Sequence, residues 1–194
     1  SHEFRTPLAA QLASIELLKD GLGRMETAEQ RELFQHLERG VLRLMRLIDN
    51  LLESVRIEAG QLGIRRQTLA ITEVAEEAAA LVRPLLTQRR QELMAEWLAD
   101  LPSITGDGQR LSQVFVNLLA NASKFAPEDS VVRIGASHEN AEVTAWVEDE
   151  GPGVPELEKG SIFERFSRGP GEEPEPGGLG LGLWIVKSII ERHS

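Results

Sequence analysis

Four polar side chains, Gln113, Asn117, Asn121 and Lys124, recur with a helical period within RLSQVFVNLLANASKF, residues 110–125. At about 100° per residue they share one face, so amides and one ammonium line up. Amide oxygens suit a hard cation such as Mg²⁺, and a lysine supplies a point charge for phosphate. Leu111, Val114, Phe115, Leu118, Leu119 and Ala122 recur at the same period and make another face core. A polar stripe alone is usually the solvated back of a helix, so its meaning depends on what accompanies it.

Two glycine-rich stretches accompany it. Asp149-Glu-Gly151-Pro-Gly153 follows a strand pattern, and a carboxylate beside two glycines suits a backbone that approaches a flat ligand closely; a plain turn is the alternative. Gly178-Leu-Gly180-Leu-Gly182 leads into a final helix, whose free N–H groups and positive dipole end suit phosphate. No strand of a βαβ unit precedes it and no Gly-x-x-x-x-Gly-Lys-Ser/Thr is present, which counts against a dinucleotide fold or a P-loop. Residues 161–168 read as a short aromatic helix end. Residues 169–177, rich in Pro, Gly and Glu, are expected to be mobile: a lid, a linker or a variable loop.

The composition bounds what such a site serves. The chain has 194 residues, 41% apolar and 27% charged, ordinary for one or two soluble globular domains. Without cysteine there is no disulfide framework, thiolate zinc site or Cys nucleophile. A formal net charge of −10 argues against a nucleic-acid or anionic-membrane binder, so any phosphate site is local. No apolar run approaches the ~20 residues that span a bilayer. This portion is expected in the cytoplasm, with a membrane reached only through regions outside this chain.

The elements that position the site fall into two groups, giving an α+β fold. Residues 1–60 read as a helical hairpin: Leu8, Leu12, Ile15, Leu18 and Leu22 keep helical spacing, glycines mark a turn, and Thr27 with Gln30 resembles a capping box. In the second helix Leu37, Val41, Leu44, Ile48, Leu51 and Val55 form a heptad seam, which Leu33, Leu47 and Leu52 widen beyond what one hairpin covers. The expected outcome is a homodimer through residues 1–60, closing a four-helix bundle; a hairpin packed on its own second domain is the alternative. Residues 58–63 break the heptads and mark the boundary. Residues 61–194 alternate: strand 64–69, helix 71–90, strand 92–98, the Asn-bearing helix, and strands 130–137 and 142–148 as an antiparallel hairpin around a turn at 138–141. The layers form an α/β sandwich. Pro84 is expected to kink its helix or end it early.

Taken in order, these stretches resemble the sensor histidine kinases of two-component signalling across essentially the whole chain. SHEFRTPL resembles the phosphoacceptor box, NLLANASKF the N box, DEGPGV the first glycine box, FERF the F box and GGLGLGL the second glycine box. The resemblance implies a dimerisation and phosphotransfer hairpin followed by a Bergerat-type (GHKL) ATP-binding domain, C-terminally short. It implies His2 as the residue that receives the γ-phosphoryl group of ATP. Glu3 is the acid that orients the imidazole, and Thr6, on the face of His2, is the candidate for a phosphatase step on the phosphorylated partner. It implies Asn121 as the Mg²⁺ ligand, with Asn117 one turn earlier and Lys124 at the phosphates. Asp149 accepts the adenine amino group, Gly151 and Gly153 give the base room, Gly180 and Gly182 lie at the phosphates, and Arg168 reaches the γ-phosphate. ATP and Mg²⁺ are the implied cofactors, a response-regulator receiver domain the implied partner, and 58–63 the hinge on which the ATP domain swings. His36, His138 and His193 match no motif and read as surface or satisfied histidines. An ATP-binding pseudokinase and a structural dimerisation module are the competing readings. The chain starts one residue before the phosphoacceptor position and stops where relatives continue, so the expectation is a piece of a longer sensor protein, with His2 at a fraying helix end and an incomplete sheet.

Overall fold

A computed structural model describes residues 2–21, 27–97, 100–140, 142–167 and 179–193, apart from the side chains of 2–7, 20, 38, 39, 42, 43 and 46. Helices α1 (His2–Gly21) and α2 (Thr27–Glu58) pack side by side, close enough that a Cβ on Gly40 would fall on the Gln11 carboxamide. The heptad seam splits in two. Leu37, Leu44 and Leu51 are partly covered, whereas Val41, Ile48 and Val55 are 49%, 42% and 52% exposed. Leu8, Leu12, Ile15, Met45 and Leu52 are exposed as well, so the hairpin alone leaves an apolar face open. At the end of α2 the N–H of Gln61 donates to the Arg56 carbonyl and that of Gly60 to Ile57. This glycine-closed turn satisfies the last helical carbonyls, and Gly60 takes the left-handed conformation it needs, at φ 68°.

The rest of the chain is a two-layer unit. Strand β1 (Gln67–Leu69) pairs antiparallel with β3 (Ile104–Gly106). A second sheet has the order β2 (Glu92–Trp97), β4 (Val131–Glu139), β5 (Glu142–Glu148), with β2 parallel to β4 and β4 antiparallel to β5. Along β4 the inward residues Val132, Ile134 and Ala136 are buried against α3 (Ile71–Gln88) and α4 (Gly108–Phe125). Val82, Leu86, Phe115 and Leu119 complete this core. Each buried side chain of that size contributes about 1.5–3 kcal/mol. A second cluster joins Ile57 and Leu62, at the end of the hairpin, to Val114 of α4 and to Leu181, Ile185, Val186 and Ile189 in and before α5 (Gly182–His193).

The structure corrects several sequence expectations. The first strand shrinks from 64–69 to Gln67–Leu69, and its partner β3 is missed because three residues carry no readable period. Strand β4 runs on through His138 and Glu139, and the turn centres on Asn140, whose φ of 50° suits an asparagine. Residues 156–166 are a series of separate turns, not an aromatic helix end; Gly160 and the positive φ of Phe166 interrupt any helical run. Pro84 does not end α3, which continues to Gln88. The ring deprives only the Ala80 carbonyl of its helical partner, on the exposed side, while Val82 and Leu86 anchor the helix on either side of it. Arg168 and the segment expected to be mobile lie outside the described residues.

Asp107 sets where α4 begins. Its carboxylate accepts from the N–H of Arg110, 3.2 Å away, as an N-cap, and from the N–H of Arg65 at 2.9 Å, tying the approach to β1 to the helix start. Burial pushes this carboxyl up, but the N–H donors of Arg65 and Arg110 and the Arg110 charge together outweigh it and hold it below the ordinary value. A carboxyl held low stabilises the fold above the ordinary carboxylate range and loses that contribution as pH falls through its own lower value. Asp107→Ala should therefore cost about 1–2 kcal/mol at pH 7 in urea unfolding. The difference from the unsubstituted chain should shrink on acidification below about pH 4; a gap independent of pH would contradict the assignment.

Candidate active site

Two separated stretches meet α4, one at its polar face and one at its C-terminal end. Asn117, Asn121 and Lys124 sit on that helix, the first two partly covered and Lys124 exposed, while Leu111, Val114, Phe115, Leu119 and Ala122 are buried. The start of α5 approaches the same face: a Cβ on Gly182 would lie 3.9 Å from Oδ1 and Cγ of Asn117. The side-chain nitrogen of Asn117 is buried and has no hydrogen-bond partner among the described residues. A buried amide without a partner costs about 1–3 kcal/mol unless a ligand or water meets it.

The Asp149 turn closes on the other end of α4. The Asp149 carboxylate accepts from the N–H of Gly151 at 2.7 Å. A Cβ on Gly151 would stand 2.5 Å from Asp149 Oδ1 and 3.0 Å from the carbonyl oxygen of Phe125, so any side chain there would displace the Asp149 carboxylate and press on the helix end. Lys124 lies over the Phe125 ring, 4.4 Å from its centroid. Gly153 takes φ 73° in open space. Gly180 has φ 65°, and a Cβ there would be 2.5 Å from the Ser167 carbonyl. The N–H of Phe166 donates to the Gly180 carbonyl at 3.0 Å, which ties the aromatic turns to the entrance of α5.

Of the expected site residues, Asn117, Asn121 and Lys124 lie on α4, Gly182 approaches Asn117, and Gly151 with Asp149 rests at Phe125; Gly153 lies in open space and Gly180 packs on Phe166 and Ser167. His2, Glu3 and Thr6 belong to the first turns of α1, and their side chains, like all of Arg168, lie outside the described residues. The other three histidines behave as ordinary ones. His36 and His138 are exposed, and His193 accepts from the Asp107 N–H at 3.0 Å and donates to the Ile189 carbonyl at 2.8 Å.

Sequence reasoning missed the contacts that fix this unit to the hairpin. Glu53 of α2, whose side chain is 5% exposed, meets Arg110 of α4 at 2.5 Å. Arg110 also donates to Gln113, and Glu58 pairs with Arg165, whose guanidinium lies over Phe166 and Trp184. Arg192 donates to the Leu62 carbonyl at 3.1 Å. Glu53 stands off the heptad seam and its partner is 57 positions away, so no local pattern announces the pair. Gln91 and Ser123 were missed for the same reason: both are buried and hydrogen-bonded to each other across 32 positions.

Comparison with known proteins places these parts in a family. Residues 106–194 match the family described as histidine kinase-, DNA gyrase B-, and HSP90-like ATPase, and residues 1–60 match the His Kinase A (phospho-acceptor) domain. The adaptive-response sensory kinase SasA of Synechococcus sp. (strain JA-3-3Ab) is 31% identical over 99% of this chain, which spans about half (51%) of that protein's length. Among solved structures, full-length ShkA in complex with AMPPNP superposes with a TM-score of 0.67 at 30% identity, covering 97% of this chain and 38% of that one. The histidine kinase ThkA in complex with the response regulator TrrA has the same fold, with a TM-score of 0.67 at 23% identity over 99% of this chain and 52% of that one. With a helical hairpin joined to an ATPase-type sandwich, and both family matches in that order, the chain belongs to the sensor histidine kinases.

Proposed function

We propose that this chain binds ATP on the polar edge of α4 and uses it to phosphorylate His2, from which the phosphoryl group passes to an aspartate of a response-regulator receiver domain. The observation that carries the reading is the meeting at α4 of the Asn117 amide, which has no partner among the described residues, the Gly182 helix start and the Asp149–Gly151 turn. Asp149 accepts the adenine amino group, and Gly151 and Gly153 leave room for the base. Asn117, Lys124, Gly180, Gly182 and the N-terminal amides of α5 face the phosphates, with Arg168 joining at the γ-phosphate. Among the described residues no group of three His, Asp or Glu side chains is placed to hold a metal. Mg²⁺ would be held by the Asn121 amide oxygen together with substrate phosphates and would supply charge neutralisation.

Phosphoryl transfer asks mainly for positioning. The bare imidazole nitrogen of His2 forms the P–N bond as the bond to the β-phosphate oxygen breaks, and ADP leaves with that electron pair. Glu3 holds the proton on the other ring nitrogen and so fixes the tautomer. The receiver carboxylate then takes the phosphoryl group and the P–N bond breaks. Thr6, on the same helical face, is the candidate for positioning a water that reverses the partner's phosphorylation. Division of labour falls at residue 60, with dimerisation through 1–60 by a second copy covering the row of Val41, Ile48 and Val55. No helix among the described residues is long and apolar enough to cross a membrane; a cytoplasmic location is part of this proposal.

The hairpin contact bears on how transfer is timed. Arg110 opens α4, and Asn121 lies about 16 Å further along the same helix at 1.5 Å per residue. The end of α4 held by Glu53 is therefore not the end that faces the phosphates. We infer that the ATP domain pivots about residues 58–63, and that the Glu53–Arg110 pair and the Ile57–Leu62 contact hold a resting pose.

Incubation with γ-labelled ATP and Mg²⁺ should give acid-labile, base-stable label, lost in His2→Gln and in Asn121→Ala. ATP binding without label would favour the pseudokinase reading. Gly151→Ala, whose methyl displaces the Asp149 carboxylate, should weaken ATP binding on the order of tenfold or more with the fold retained; unchanged calorimetric affinity would contradict the adenine assignment. Glu53→Gln and Arg110→Gln should leave ATP affinity intact and raise the initial labelling rate of His2, whereas a lower or equal rate would remove the resting-pose assignment.

A further inference from the structure

Gln91, in the turn between α3 and β2, is buried at 6% exposure, and its whole carboxamide is spent on one short segment, the end of α4 and the turn after it. The Ser123 hydroxyl donates to Gln91 Oε1 at 2.6 Å. Gln91 Nε2 donates to the carbonyls of Pro127 at 2.9 Å and Ser123 at 3.1 Å, with the Ala126 carbonyl at 3.4 Å as the weakest contact of its two hydrogens. Arg89 Nη2 adds a bond to the Ala126 carbonyl at 3.0 Å, and the Ser130 hydroxyl one to Pro127 at 2.6 Å. The last carbonyls of a helix have no partner within it, and here a side chain from another element supplies them.

The segment so held carries both halves of the nucleotide site. Lys124 follows Ser123 and Asn121 precedes it by two residues. The Phe125 carbonyl, inside the clamped span, is the surface on which Gly151 rests. We propose that Gln91 is a positioning residue for the nucleotide site, fixing the distance between the phosphate side at Asn121 and Lys124 and the adenine side at Asp149 and Gly151. This rests on the ATP reading of α4. A leucine at 91 preserves bulk but strands the Ser123 hydroxyl and carbonyl, and leaves the Ala126 and Pro127 carbonyls to Arg89 and Ser130 alone. A glutamate keeps the acceptor for Ser123 and loses every donor, so it sets a carboxylate against carbonyl oxygens.

The test uses the full chain at a temperature where circular dichroism shows each variant folded, with two readouts: calorimetric MgATP affinity, and backbone amide resonances of Lys124 and Gly151 in nucleotide-free protein. Gln91→Leu and Gln91→Glu should weaken MgATP on the order of tenfold, Ser123→Ala about threefold, and Ser123→Ala combined with Gln91→Leu no more than Gln91→Leu alone. The resonances of Lys124 and Gly151 should move together in each variant, while those of Ile57 and Arg110 stay in place. A folded Gln91→Leu chain that binds MgATP within twofold of the unsubstituted one, with Lys124 and Gly151 unmoved, would overturn the inference. Should Gln91→Leu not fold, Ser123→Ala decides on the same two readouts. An unsubstituted chain that fails to bind MgATP would instead sink the ATP reading, a result separate from any difference among the variants.

Discussion

Helix α4 must satisfy two surroundings at once, a dry one against the sheet and α3 and a wet, charged one beside the glycine turns. Its period allows this, because 3.6 residues per turn send Leu111, Phe115, Leu119 and Ala122 inward and Asn117 and Asn121 to another side. Burial of the apolar stripe fixes the rotation of the helix about its axis. What burial leaves free is sliding along that axis, and polar anchors at the two ends remove it. Asp107 caps the first turn and is itself tied to Arg65, while Gln91 collects the carbonyls after the last turn. Between those anchors lies Asn117, whose amide nitrogen has no partner among the described residues.

The two units of the chain are joined by more than the peptide between them. Ile57 and Leu62 enter an apolar cluster that belongs to α4 and α5, and the Glu53 carboxylate is nearly fully buried against Arg110. A buried ion pair gains little over water, because desolvation offsets most of the attraction, yet losing one partner is costly. Such a contact is a poor source of stability and a good source of specificity. It selects one docked arrangement of hairpin and sandwich and is easily outweighed when another arrangement offers comparable contacts. Arg165, paired with Glu58 and resting on Phe166 and Trp184, extends the same contact to the turn that holds Gly180.

Much of this was legible in the sequence wherever a period or a motif carried the information. The heptads of α2, the two faces of α4 and the alternation of β4 and β5 emerge from local spacing, and the glycine boxes from residue type. Short or interrupted elements were not legible: three residues of β3 have no period, and Pro84 reads as a breaker until Val82 and Leu86 are seen to be anchored on both sides of it. The long-range polar contacts were least legible. Gln91 beside Ser123 and Glu53 beside Arg110 are single residues without a repeating neighbour, and their burial follows only from the tertiary fold. The family resemblance named candidate site residues without disclosing which contacts hold their helix in place.

The claim on which the account turns is that the amide edge of α4 is a nucleotide site selective for adenine. Titration of ¹⁵N-labelled protein with MgATP and, separately, with MgGTP tests it directly. The account predicts saturable shifts in the side-chain amides of Asn117 and Asn121 and the backbone amide of Gly151 with MgATP, and markedly weaker binding of MgGTP because Asp149 is an acceptor suited to the adenine amino group. Shifts confined to other parts of the chain, or equal responses to the two nucleotides, would contradict it.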